Sequence, residues 1–314
     1  MADPALGRLG RELFMAALGL PLDVIEPWAV DRMTSLLEEW PVAAGDVLYR
    51  AGEPAEFFFF MQEGLVRIDQ PMGPSWTMRG RWAVGALEAV LDAPRMSSAT
   101  ALVDFDAMRV PAGGWSELLE DSFQIALGAV SNAGRATALL EERVPELPKR
   151  PPRPWTHLAA AGDAPLTLVE RLALMVDVRM FGGAGVQSIV DLAAATREVL
   201  FAAGDMLLRR GEPRADLIVV VAGEVEARRD APHVVRHYGP GDLVLGPAAY
   251  TPMGGSWEAR AIVPTRVLSF PREFWFDMMA EHFDLVRATL AALAARRDTL
   301  LSVLASASGD FVLT

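Results

Sequence analysis

A phrase in this chain occurs twice, 159 positions apart. Gly45-Asp46, Leu48, Arg50 and Gly52-Glu53-Pro54 return as Gly204-Asp205, Leu207, Arg209 and Gly211-Glu212-Pro213. Further on, Gly64-Leu65-Val66 meets Gly223-Glu224-Val225 at the same offset. Val110-Pro111, Trp115 and Phe123 then match Phe270-Pro271, Trp275 and Phe283 at an offset of 160, which places a net insertion in the middle of the second copy. One architectural unit is therefore used twice, and 314 residues suit two domains of ordinary size.

Each copy opens on helical periodicity. Leu9, Leu13, Phe14 and Leu18 share one stripe, as do Leu168, Leu172, Met175 and Val176. A second short helix is expected over 30–39 in the first copy and 186–197 in the second. Short strands follow, at 47–49, 56–61 and 65–68, rich in β-formers and punctuated by glycine. The unbroken apolar runs Phe57 to Phe60 and Leu217 to Val221 suit strands buried on both faces. Gly45, Gly52, Gly64, Gly204, Gly211 and Gly223 are expected at turns that need positive φ. The fold expected is α+β: two tandem eight-stranded antiparallel β-rolls, jelly-roll-like, each flanked by helices. The domains expected are 1–147 and 166–314, joined by a Pro-rich linker at 148–165.

Composition excludes several function classes. The net charge of −12 disfavours a general nucleic-acid binder. There is no cysteine, hence no disulfide and no thiolate chemistry. His157, His233, His237 and His282 have no metal-site spacing, and no metal site is expected. No nucleophile and base pair can be assembled, so no catalytic residue is assigned and an enzyme is not expected. The absence of a leader-like N-terminus or a long apolar run leads to the expectation of a cytoplasmic protein without a membrane span.

The doubled roll with its periodic glycines resembles the cyclic-nucleotide-binding domain family, which includes catabolite activator protein-like and kinase regulatory subunit-like members. That resemblance covers nearly the whole chain twice. It implies a phosphate-binding cassette in which a short helix start offers backbone N–H groups to the cyclic phosphate, an Arg grips the phosphate, and a Glu accepts the ribose hydroxyl. In the first copy the cassette falls on Gly85, Ala86, Leu87 and Glu88, then Pro94, Arg95, Met96 and Ser97. Arg95 matches the phosphate Arg, but Ala86 stands where the Glu belongs, and Glu88 lies about 200° further round the helical turn. In the second copy Gly246 matches the glycine, Pro247 replaces the Glu, and Gly255-Ser256 replaces the Pro-Arg pair, so that site reads as degenerate. Trp76, Trp82 and Trp257 lie near these stretches and read either as core or as stacking partners for a purine.

The last helix, expected over 284–305, carries Val286, Leu290, Leu293, Leu300 and Leu304 at alternating spacings of three and four. This stripe reads either as a dimer or partner surface or as packing within the domain. Only residues 306–314 follow it, so no DNA-reading module is expected. Arg209-Arg210, Arg296-Arg297 and Glu141-Glu142 read as solvated or ion-paired surface. Three functions stand: a non-enzymatic regulatory or adaptor protein with an unidentified protein partner and no resident cofactor; a sensor taking cAMP or cGMP in the first copy; or a structural component of a larger assembly.

Overall fold

The structure is a computed structural model, and it describes residues 25–144, 164–212, 215–230, 233–250, 256–308 and 311–314. The helix expected around Leu9 to Leu18, and all of the linker but Ala164 and Pro165, lie outside the described residues. Two compact units are distinguished: 1–132 together with 294–314, and 133–293. The boundaries expected at 147 and 166 follow the chain, whereas these units follow packing.

The first unit opens with helix α1 (Pro27–Ser35), then strand β1 (Glu38–Val42). The helix expected to continue to residue 39 stops early because Glu38 to Val42 pair antiparallel with the last strand of the roll, Glu38 opposite Arg109. Tertiary pairing here overrides local periodicity. Strands β2 (Val47–Tyr49), β3 (Phe57–Met61), β4 (Leu65–Asp69), β5 (Trp76–Arg79) and β6 (Trp82–Val84) lead to a short helix, α2 (Ala86–Val90). Strands β7 (Ser98–Ala101) and β8 (Phe105–Pro111) close the roll. One sheet runs β1-β8-β3-β6 and the other contains β5-β4-β7-β2. Phe58, Phe59 and Phe60 are all buried, as their unbroken run requires. Helices α3 (Ala112–Asp121) and α4 (Phe123–Arg143) follow.

The second unit repeats the plan. Helix α5 (Leu168–Asp177) starts at a capping box in which Thr167 and Glu170 exchange bonds. Helix α6 (Val186–Ala195) precedes strands β9 (Arg197–Phe201), β10 (Met206–Leu208), β11 (Asp216–Ala222), β12 (Val225–Asp230) and β13 (His233–Tyr238). Strands β14 (Glu258–Ala261) and β15 (Thr265–Pro271) lead into helix α7 (Arg272–Glu281) and helix α8 (Phe283–Ser308). The sheets run β11-β15-β9 and β10-β14-β12-β13. Leu217 to Val221 are all buried.

Five of the six turn glycines hold positive φ, from +79° to +94°. Gly64 does not: it is there for space, since a Cβ would stand 3.0 Å from the Phe105 ring. The long helices α4 and α8 each begin in one unit and end in the other. In the first unit, the last part of α8 reaches the residue that follows β4, where Ser302 donates to the Gln70 side-chain oxygen at 3.3 Å. A final strand, β16 (Val312–Leu313), then pairs parallel with Thr77 and Met78 of β5. In the second unit, the end of α4 lies against β12 and β13. Gly134 gives room to the Tyr250 ring, which a Cβ would approach to 2.8 Å.

Of the two readings of the last helix's stripe, burial within the chain fits packing. Val286, Leu290, Leu293 and Leu300 are buried within this single chain, and Leu304 is half-buried. The alternating spacing marks a buried face, and it does not say what buries it. Among the described residues no helix is long and apolar enough to cross a membrane.

Candidate functional site

The first cassette begins where β6 ends. Gly85 takes φ +77° and α2 starts at the next residue. The chain returns through Asp92, also left-handed at φ +51°, to Arg95. The repeated phrase then holds it: Arg95 donates its backbone N–H to the Glu53 carbonyl at 2.9 Å and accepts from Gly52 N–H at 2.8 Å. Ser98 Oγ accepts from Ala51 N–H at 3.0 Å. The turn glycines thus fix the position of the Arg as well as the roll.

The Arg95 side chain points inward and is only 3% exposed. Nη1 donates to the Gly85 carbonyl at 2.6 Å, and Nη2 donates to the Phe57 carbonyl. The guanidinium lies over the Tyr49 ring, 4.1 Å from its centroid. The Glu88 carboxylate stands 3.9 Å from Nη1 as its counter-ion. Burial pulls the guanidinium below its usual pKa, opposed by nearby negative groups including Glu88. Burial also pushes the Tyr49 phenol well above its ordinary range, with the Glu88 charge adding to the effect.

Of the expected residues, Gly85, Glu88, Arg95 and the buried Ser97 are brought together with Tyr49. Ala86 and Leu87 are half-buried on α2, and Met96 faces solvent at 66% exposure. Sequence reasoning missed Tyr49. The signal was present, since Leu208 stands at the same place in the second copy of the phrase.

Replacing Gly85→Ala forces a Cβ onto the Arg95 Nη1 and within 2.8 Å of the Tyr49 ring, at a positive φ. The expected loss is about 2 kcal/mol, read by denaturant unfolding. An unchanged midpoint would show that this packing does not exist.

The second cassette is built differently. The left-handed residue ahead of the short helical turn is Leu245, φ +50°, so Leu245 rather than Gly246 holds the backbone state of Gly85. The turn (Gly246–Tyr250) is a 3-10 helix, Pro247 is half-buried on it, and Ser256 is exposed. Tyr250 closes the turn: its hydroxyl accepts from Trp275 Nε1 at 3.0 Å and reaches the Met180 sulfur at 3.2 Å. Trp257 is buried with Ile218, Val220, Val225, Val244 and Leu245 in the core of the roll. Arg260 does not serve the cassette: it donates to Glu226 at 2.9 Å, beside Arg228. These two arginines hold the Glu226 carboxyl below its usual range, Arg228 most strongly.

The tryptophans resolve as packing for the most part. Trp76 and Trp115 are buried and Trp275 is fully so, while the half-exposed Trp82 donates to the Arg79 carbonyl at 3.0 Å. Among the described residues no group of His, Asp and Glu that could hold a metal ion is found.

A family model described as "Cyclic nucleotide-binding domain" matches residues 39–122 and again 198–282. Among solved structures, the chain is similar to the regulatory domain of Toxoplasma gondii PKA with cAMP. The identity is 14%, with 94% of this chain and 98% of that one covered, at a TM-score of 0.35. It is likewise similar to the regulatory subunit of a cAMP-independent protein kinase A from Trypanosoma brucei, at 14% identity, 92% and 93% coverage and a TM-score of 0.36. A putative cyclic nucleotide binding protein from Ruegeria pomeroyi is similar at 17% identity, covering 45% of this chain and 64% of that one, with a TM-score of 0.39. No curated protein sequence matches.

Proposed function

The chain belongs to the cyclic nucleotide-binding domain family in both of its halves, and we propose that it is a non-enzymatic regulatory protein that works through protein contacts. The observation that carries this reading is the direction of Arg95. Its fork is spent on the Gly85 and Phe57 carbonyls and its charge is met by Glu88. A cyclic phosphate would have to displace all three, with Ala86 in the ribose position offering no acceptor. In the second copy Pro247 lacks an N–H, and Trp257 belongs to the hydrophobic core.

The experiment is thermal unfolding with cAMP, cGMP and cyclic dinucleotides at millimolar concentration. The expected result is no shift with any of them. Nucleotide at 100 times its Kd would add about 2.7 kcal/mol, and such a shift would replace this reading with that of a sensor. One observation favours that second reading: among the described residues the buried Nε of Arg95 has no hydrogen-bond partner.

A further inference from the structure

The strands that begin and end each roll carry different polar side chains in the two copies. In the second copy they receive a stretch of the chain's own backbone. Glu198 on β9 accepts from Leu166 N–H at 2.9 Å, and Arg266 on β15 donates to the Ala164 carbonyl. Glu198 and Arg266 pair with each other, and Leu166 is buried. Thus a carboxylate on the first strand and a side chain on the last strand receive a passing peptide by its N–H and C=O groups.

Register identifies the counterparts in the first copy. Glu198 lies opposite Leu268 as Glu39 lies opposite Met108, and Leu200 lies opposite Arg266 as Pro41 lies opposite Asp106. The carboxylate is kept at Glu39, but the arginine has become Asp106. Glu63 and Asp104 complete the rim of a groove of about 580 Å³ that also includes Trp40 and Gln62. Glu39, Glu63, Asp104 and Asp106 are all exposed. Asp104 accepts from Ala44 N–H at 2.7 Å, and so shapes the wall. Strand β1 is an edge of its sheet among the described residues. Its Pro41 is a usual edge residue, since it has no N–H to donate.

From this pairing we propose that the first copy's groove is a docking site for an extended, basic peptide segment of a partner protein. In the second copy the equivalent strand pair receives backbone N–H and C=O groups at Leu166 and Ala164. The change from Arg266 to Asp106, with Glu63 and Asp104 beside it, replaces a donor with acceptors and selects a segment that brings cations. Such a segment places Lys or Arg heads against the four carboxylates, while its backbone N–H meets Glu39 as Leu166 meets Glu198. Specificity and on-rate then come from charge, and binding weakens with salt. The site is separate from the cassette and does not depend on whether nucleotide binds there.

The single lysine of the chain, Lys149, makes a direct test available. The intact protein is treated with a zero-length carbodiimide and a capped octapeptide carrying four lysines, and cross-links are mapped by mass spectrometry. Affinity is read in parallel by calorimetry. The expected result is saturable binding, with links at Glu39, Glu63 or Asp106. The triple variant Glu39→Gln, Glu63→Gln, Asp106→Asn should bind at least tenfold more weakly. The variant Glu117→Gln, Glu120→Gln, Asp121→Asn, which removes equal charge elsewhere, should bind as the parent does. Equal weakening of both variants would reduce the effect to net charge and overturn the proposal. So would links from these carboxylates to Lys149 or to the amine of Met1, because the groove would then belong to the chain itself.

Discussion

Replacing Arg95→Ala lowers the stability of the first unit by about 3 kcal/mol in the complete absence of nucleotide. The magnitude follows from what the side chain leaves behind. The Phe57 and Gly85 carbonyls lose the guanidinium donors inside the roll, Gly85 keeping only the long Ala89 N–H bond at 3.4 Å, and a buried group left poorly satisfied costs about 1–3 kcal/mol. Glu88 loses its counter-ion, and the Tyr49 ring loses the cation stacked 4.1 Å from its centre. Chemical denaturation of the intact chain measures this, with Arg95→Met as companion. Methionine restores much of the packing but none of the donors, so it should recover under half of the loss. An Arg kept only for ligand would give a different result: the alanine variant would unfold like the parent, and the inward geometry would be refuted.

That distinction was not legible in the residues alone. Spacing and residue type place Arg95 ten positions after Gly85, but they do not say which way the fork turns. Direction depends on Tyr49, from the other end of the roll, and on two carbonyls that no pattern advertises. The roll itself was legible because its turns are chemical: glycine at positive φ between β-rich runs leaves few alternatives. Even there, Gly64 shows that one residue type serves two needs, conformation at five turns and space beside Phe105 at the sixth. The early strand β1 was hidden because Leu36 and Leu37 continue a helical rhythm, while its pairing partners lie about 70 residues away. The long helices were legible as helices with an apolar face. Which roll would cover that face was not, since periodicity carries no address. The acidic rim of the first copy's groove escaped notice for the same reason: Glu39, Glu63 and Asp106 come from three separate strand ends.

The exchange of helix ends gives the second large effect. Arg236 on β13 is buried beneath the last turn of α4, where its Nη2 donates to the Glu141 carbonyl at 2.6 Å and to the Val144 carbonyl. The Glu141 carbonyl also accepts from Val144 N–H at 3.3 Å, and a cation at a helix C-terminus meets the negative end of the helix dipole. Arg229, one strand over, pairs with Glu142. Of the Glu141-Glu142 pair, which reads as solvated or ion-paired surface in the sequence, Glu142 is ion-paired and Glu141 is buried. Arg236→Ala takes the side-chain donor away from both carbonyls and empties a buried position, at an expected cost of about 2 kcal/mol. Arg229→Ala breaks a partly exposed ion pair and should cost under about 1 kcal/mol. Hydrogen exchange separates this from a general loss of stability. Protection should fall first in the last two turns of α4, residues 137–143, while β12 and β13 keep theirs until global unfolding. If β13 and the end of α4 lose protection together, Arg236 is a core residue of the roll, and the helix end is not held by it.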